Sequence, residues 1–315
     1  MKKNENYVFK LIQYDDLDEG HLFISKNFLK YQSEVFSTDV INFGIYDSFS
    51  KKYLAQISFS GKNDIWKTPV TGSFGGASST KEIHIDVYKI LLRESEKYLF
   101  THTNAKEIII NLPPNCFPDS SSIVANILFN DGWILNKFDV NHHINICSPD
   151  KYLKIIGNTK VKKIKRLVKS GASFSNVPIA NLKDVYSVIE ENRKSQGFPM
   201  TMSYNSMKDL SKNFEDYIKL FIVKRNGEIL SSAICLNLTP NYMYVFYWGE
   251  INEYRNESPV VFLAMQLADY CYKSNIDILD IGTSSDNSAI NSGLSRFKEG
   301  IGCKWSHKLS YSKKK

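Results

Sequence analysis

Apolar residues recur along this chain in two rhythms: every second position over short runs, and every third or fourth over longer ones. In the first half, residues 53–60 read as a strand, 61–64 as a turn, and 66–70 as the start of another extended piece. After the loop 71–77 come a helix over 85–100, with Ile90, Leu91, Glu94 and Tyr98 at helical spacing, and a strand over 107–112 stopped by Pro113-Pro114. A second helix over 121–130 ends at Asp131-Gly132, and 133–147 holds two extended runs. In the second half, 218–224, 229–238 and 242–248 form a three-strand meander, broken at Asn226-Gly227 and Thr239-Pro240-Asn241. Asn-Gly is the strongest short hairpin signal. A loop over 249–257 leads to a helix with Ser258 as cap and Pro259 at its first position, facing Val260, Leu263, Ala264, Leu267 and Cys271 inward. Ile278, Leu279 and Ile281 mark a buried strand ending near Gly282, followed by a polar loop, a short helical segment over 293–299 and a last strand over 305–311.

Meander, loop, helix, strand, short helix, strand is thus met twice. The expectation is an α/β (α+β) protein of two similar domains with mixed central sheets, 1–150 and 151–315, joined near Ser148-Pro149-Asp150. A length of 315 residues agrees with two domains of about 150 each. Two helices lie between the join and the second meander. The first, over 152–170, stops at Gly171, and the second, over 182–196, is amphipathic through Val185, Val188, Ile189 and Asn192 and ends at Gly197.

Composition changes this picture little. Apolar residues make up 43% and aromatics 13%, as in a folded globular chain. No segment reads as a signal peptide, and none approaches the ~20 apolar residues that span a bilayer. The expected location is therefore the cytoplasm, without a membrane span. Five cysteines at scattered positions match no metal-ligand spacing, so no metal is expected and Cys235 and Cys271 read as reduced core residues. His142-His143 lies in an alternating stretch that sends the two rings to opposite faces.

Charge is more telling. The net +7 includes Lys160, Lys162, Lys163, Lys165, Arg166 and Lys169 in one window. On a helix, Lys162, Arg166 and Lys169 share a face and Val161, Ile164 and Val168 form the buried stripe. That basic face is either simply solvated or a surface for a phosphate-rich partner: a nucleotide, a lipid phosphate or tRNA.

The C-terminal stretch carries a resemblance. Ser258-Pro259 with Leu263-Ala264, then Leu279-Asp280-Ile281-Gly282-Thr283-Ser284, then 291–302 with its Phe297-Lys298-x-Gly300-Ile301-Gly302, resemble the C-terminal GNAT-fold domain of the FemAB-like acyltransferases. The resemblance implies tandem GNAT domains and transfer of an acyl or aminoacyl group, in cell-envelope biosynthesis among other settings. It places Lys298 near the acceptor or the reacting carbonyl. It implies no cofactor beyond an acyl donor acting as substrate, either aminoacyl-tRNA or an acyl thioester. Asn192-Arg193 followed by Gly197-Phe198-Pro199 also resembles an element of this group, where Arg193 would hold a carboxylate or phosphate; the same arginine could instead cap its own helix. One departure stands out. Where an ordinary GNAT enzyme grips the coenzyme A diphosphate with a glycine-rich loop, this chain has Arg255-Asn256-Glu257-Ser258-Pro259-Val260, with a carboxylate, no glycine and a proline lacking an amide donor.

Acyl transfer develops negative charge on a carbonyl oxygen, and a fixed donor stabilises it. Lys298 is the candidate donor, with Ser284, Ser285, Asn291 and Gly293 lining the pocket. Asp280 either orients the loop or serves as base. Tyr247 and Trp248, at the end of their strand, either pack or stack on a sugar or base. Gly72-Ser73-Phe74-Gly75-Gly76 in the first half reads as a phosphate loop or as a tight turn. No set of serine, cysteine and histidine suggests a covalent intermediate. Three functions remain open: a transferase forming an amide or ester on a small-molecule, phosphate-bearing acceptor such as a nucleotide sugar or cell-envelope precursor; a non-catalytic module binding a nucleotide, tRNA or lipid headgroup; or, against the departure at 255–260, a conventional coenzyme A enzyme.

Overall fold

The computed structural model describes residues 6–17, 20–79, 83–118 and 121–315. In chain order the first elements are β1 (Tyr7–Leu11), α1 (Lys26–Phe36), β2 (Asp39–Asp47), β3 (Lys52–Lys62), β4 (Ile65–Thr68), β5 (Ser78–Ser79), α2 (Ile85–His102), β6 (Glu107–Asn111), α3 (Ser121–Asn130) and β7 (Ile134–Asn145). Then follow α4 (Pro149–Ile156), α5 (Asn158–Lys169), β8 (Ser173–Val177), α6 (Leu182–Ser195), α7 (Tyr204–Asn213), β9 (Ile218–Arg225), β10 (Glu228–Thr239), β11 (Tyr242–Glu250) and α8 (Pro259–Lys273). The chain closes with β12 (Ile278–Thr283), β13 (Ser285–Asp286), β14 (Ala289–Ile290), α9 (Ser292–Gly300) and β15 (Lys304–Lys314).

Two compact units result. One comprises Met1–Val140, Ser285–Ala289 and Ser306–Lys315, and the other Asn141–Ser284 and Ile290–Trp305. In the first unit, β1, β2 and β3 run antiparallel, β4 pairs antiparallel with β3 and parallel with β6, and the Ser310–Lys314 part of β15 pairs with β6. Phe43, Ile45, Ile57 and Phe59 from the sheet bury against Val87, Leu91 and Leu99, which recur on one side of α2.

In the second unit the order is β7, β12, β11, β10, β9, β8. Asn226 and Gly227 both take positive φ, 52° and 86°, which is the geometry a two-residue hairpin demands. Helix α8 buries Val260, Leu263, Ala264, Leu267 and Cys271 against β9, β10 and β11, as their spacing predicts. Helix α6 packs on the meander as well, with Ser232 Oγ donating to Val185 O at 2.8 Å. Gly249 permits the close approach of α6, because a Cβ there would lie 2.8 Å from Asn192 Cβ and 3.1 Å from Ile189 Cα.

Several local expectations are corrected. The stretch 152–170 is two helices, because Gly157 at φ 78° breaks the helical path. The buried stripe of α5 is Ile164 and Leu167 rather than one including Val168, which is 49% exposed: the inward residue after Ile164 comes three positions on, not four. The two extended runs in 133–147 are one continuous strand. Ser258 makes no side-chain cap: it sits at φ 62°, in the left-handed region. The polar stretch after β12 contains the small β13–β14 ribbon.

Candidate functional site

The site is built at the tip of β12, within the second unit. Strands β11 and β12 run parallel and pair through Tyr242↔Ile278, Met243↔Leu279 and Tyr244↔Asp280, while β11 continues to Glu250 and β12 to Thr283. On its other side β12 pairs antiparallel with β7, and the register shifts between Asp280 and Gly282. The extra residue at Ile281 is a bulge, which bends a strand and re-aims its peptide groups. Gly282 completes the bend at φ 77°, where a side chain would be strained.

Two buried ionisable groups hold this bend. Asp280, 1% exposed, accepts from Asn141 Nδ2 at 2.8 Å, from Gly282 N at 2.8 Å and from Tyr242 Oη at 2.7 Å. Its geometry is that of a brace across β7, β11 and β12. Lys298, on α9 and 3% exposed, donates to the carbonyls of Ile281, Gly282 and Thr283 at 3.0, 2.8 and 2.8 Å. An ammonium has three protons, and all three are directed at backbone oxygens. Burial lowers its pKa from 10.5 to about 8, with nearby Cys303 and Asp280 opposing that shift. Burial likewise raises the Cys303 thiol to about 12.

Beside the lysine runs a chain of hydrogen bonds through His142, which is fully buried. Its Nδ1 meets Ser284 Oγ at 3.1 Å and its Nε2 meets Ser295 Oγ at 3.2 Å, while Ser295 Oγ donates to Glu299 Oε1 at 2.7 Å. Since the Ser295 proton goes to the carboxylate, Ser295 accepts from Nε2–H, and Nδ1 in turn accepts from the Ser284 hydroxyl. Burial, reinforced by the Lys298 charge, pushes the His142 pKa down to about 4, so the ring is neutral near pH 7. Its neighbour His143 pairs across from Asp280 on β12, and burial lowers its pKa too.

The tip thus gathers Lys298, Asp280 and Ser284 from among the expected residues. Asn291 caps α9, accepting from Leu294 N at 3.0 Å, and Gly293 lies in the exposed first turn of that helix. Ser285 lies in the first unit, where its Oγ accepts from Val140 N at 2.7 Å. Trp248 packs edge-on to Phe297 at 6.2 Å, and Tyr247 is buried with its hydroxyl bonded to Thr201 Oγ1. Arg193 does not cap its own helix: it donates through Nε and Nη2 to Pro199 O, in the loop beyond α6, at 3.1 and 2.9 Å. Lys162 and Arg166 stand exposed on α5.

The glycine loop of the first unit reads as a turn. Gly75 N donates to Asn111 O at 2.8 Å and Gly76 N to Thr68 Oγ1 at 3.2 Å, so these amides serve the protein's own acceptors. Phe74 is buried, and Ser73 Oγ accepts from Lys308 Nζ at 2.7 Å.

One residue escapes the sequence reading altogether. Glu250, the last residue of β11 and 7% exposed, turns its carboxylate onto the start of α8, where Oε2 accepts from Val260 N at 3.1 Å. Burial raises its pKa despite that bond and the nearby Arg255 and Lys163. Nothing in a glutamate after Trp248-Gly249 distinguishes it from a surface residue in the sequence.

A cavity of about 220 Å³ lies elsewhere in this unit, lined by Cys147, Tyr152, Leu153, Met265 and others, none from the tip. Among the described residues no group of three His, Cys, Asp or Glu side chains could hold a metal ion, and no helix is long and apolar enough to cross a membrane.

No family model matches the sequence, and no curated protein does. Solved structures do match. FemX aligns over 97% of this chain and 96% of its own, with TM-score 0.72 at 13% identity. A tandem GNAT protein from the clavulanic acid biosynthesis pathway covers 98% of each chain, with TM-score 0.55 at 8% identity. L-PGS from Bacillus licheniformis covers 82% of this chain and 80% of its own, with TM-score 0.52 at 13% identity. The fold is that of a tandem GNAT protein. Within it, the meander β9–β11, helix α8 and strand β12 form the GNAT core of the second unit, and the Lys298 cluster sits where β12 ends.

Proposed function

We propose that this protein is an acyl or aminoacyl transferase that forms an amide or ester on a phosphate-bearing acceptor such as a nucleotide sugar or cell-envelope precursor, with aminoacyl-tRNA or an acyl thioester as donor. The tandem GNAT fold supports the reaction class. The observation that carries the reading is the buried ammonium of Lys298 behind the bent tip of β12. A cation drawing on three successive carbonyls polarises those peptide groups and strengthens their N–H groups as donors, which is what a developing oxyanion needs. It also holds the tip rigid, so donors placed there need no reorganisation during reaction. In this reading Lys298 acts through the backbone, Asp280 and His142 hold the bend, and Ser284 presents the loop. Arg193, Tyr247, Trp248, Asn291 and Gly293 border the acceptor side, and the Lys162/Arg166 face of α5 meets a phosphate-rich partner.

The test is transfer itself. The purified chain is incubated with labelled aminoacyl-tRNA or acyl thioester and a nucleotide-sugar acceptor, and labelled product is expected. The Lys298→Met variant, shown by cooperative unfolding to be folded, should lose at least about 10²-fold in rate. Undiminished turnover in that variant removes Lys298 from the site.

A second reading, a non-catalytic module binding a nucleotide, tRNA or lipid headgroup, is favoured by the saturation of both ionisable groups at the tip. All three Lys298 protons and both Asp280 oxygens are already bonded within the protein. Salt-dependent RNA binding without transfer from any charged donor would select it.

A further inference from the structure

The first turn of α8 is where general electrostatics would place an anionic ligand in the second unit. It opens a helix of 15 residues just beyond the carboxyl end of β11, and such a terminus offers N–H groups and the positive end of the helix dipole. Here no donor of that turn is left over. Pro259, at the first position, has no N–H. Val260 N is bonded to Glu250 Oε2 at 3.1 Å, and the N–H groups of Val261 and Phe262 return to Ser258 O at 3.0 and 3.4 Å.

The surrounding cations have protein partners too. Arg255 Nε lies 3.7 Å from Glu250 Oε1. Lys163 Nζ donates to Ser258 Oγ at 3.1 Å and to Asn256 O at 3.4 Å. Arg225 closes on Glu257 through two bonds of 2.6 and 2.9 Å. A glutamate carboxylate, 93% removed from solvent and flanked by an arginine and a lysine, thus fills the position that a bound phosphate would take.

We infer that Glu250 is the resident anion of α8 and the residue that decides which class of acyl donor the second unit accepts. A donor held by its diphosphate, as a coenzyme A thioester is, meets a like charge and no free amide at this helix; the acyl group arrives instead on a carrier gripped elsewhere. This rests on the transferase reading and narrows its donor.

The test is a binding measurement and needs no turnover. Coenzyme A and inorganic pyrophosphate are titrated calorimetrically into the full chain, wild type, Glu250→Gln and Glu250→Ala, with hydrogen exchange followed over residues 258–262. Wild type should bind neither. Glu250→Ala, which removes the like charge and frees Val260 N and Arg255, should gain about tenfold or more in pyrophosphate affinity, with slowed exchange over those residues. Glu250→Gln keeps an acceptor for Val260 N and so preserves the fold; it should gain less, but measurably. Coenzyme A binding by wild type with protection over 258–262 overturns the inference and leaves a transferase standing. So does a Glu250→Gln variant indistinguishable from wild type. Failure to transfer from any donor, with the gain of anion binding intact, overturns the transferase reading alone.

Discussion

Replacing Lys298 by methionine keeps most of the side-chain volume while removing the ammonium from its three carbonyls. Two terms oppose each other. Hydrogen bonds from a charged donor contribute about 1.5–3 kcal/mol each, and Lys298 makes three, at 3.0, 2.8 and 2.8 Å. Against them stands the burial of a charge: the fall in pKa from 10.5 to about 8 corresponds to about 3 kcal/mol at ~1.4 kcal/mol per unit. The bonds win, and Lys298→Met should lower stability by about 2–6 kcal/mol at pH 7. The sign of the pH dependence follows from the same shift. The folded protein releases this proton near pH 8 and the unfolded chain near 10.5, so between them the unfolded chain holds more protons and wild-type stability rises with pH. That rise, up to about 3 kcal/mol, should be missing from the variant. Urea unfolding from pH 7 to 10, with the slope against denaturant unchanged, measures both quantities. A variant within about 0.5 kcal/mol of wild type at pH 7 and with the same pH slope would show that the amine does not hold the β12 tip.

Two further outcomes follow from burial elsewhere. His21 is buried among Phe23, Phe74 and Phe117, and burial lowers its pKa to about 3 against the opposing effect of the Gly75 backbone. Its folded pKa lies below the unfolded value of 6.5, so the stability it confers is present above pH 6.5 and is lost as pH falls toward 3. His21→Phe should leave the melting temperature at pH 7 unchanged or higher and blunt the acid-induced decline; an acid transition identical to wild type refutes this. Gly249→Ala places a methyl group 3.1 Å from the backbone of Ile189, so α6 must shift from β11 at a cost of about 1–3 kcal/mol. Differential scanning calorimetry reads the loss, and an unaltered melting temperature would mean that α6 does not rest on that glycine.

Much of the second unit is legible in the chain because its signals are local. The Asn226-Gly227 pair can adopt the two positive φ angles of a tight hairpin, and the three-and-four spacing of Val260, Leu263, Leu267 and Cys271 defines a buried helix face. Gly157 was equally local, yet an uninterrupted run of apolar and basic residues hides the break it makes in 152–170. The elements β1, α1, β2, β8 and α7 fall in stretches left without an assignment: α1 and α7 do carry a helical apolar face, through Phe28 and Leu29 and through Met207 and Leu210, whereas β2 is held by a partner far along the chain, as Phe43 is by α2.

The candidate site divides in the same way. Sequence alone determined that a strand ends near Gly282, that a polar loop and a short helix follow, and that a lysine rides on that helix, since each depends on residues within a turn or two. Only the tertiary structure decided what the lysine does. The carbonyls it holds lie 15 to 17 positions earlier, and they face it because a bulge on β12 and the left-handed Gly282 turn three peptide groups the same way. Glu250 likewise acquires its role only when α8 begins beside it: a carboxylate becomes the anion of a helix terminus through the direction of that helix, which no neighbouring residue encodes.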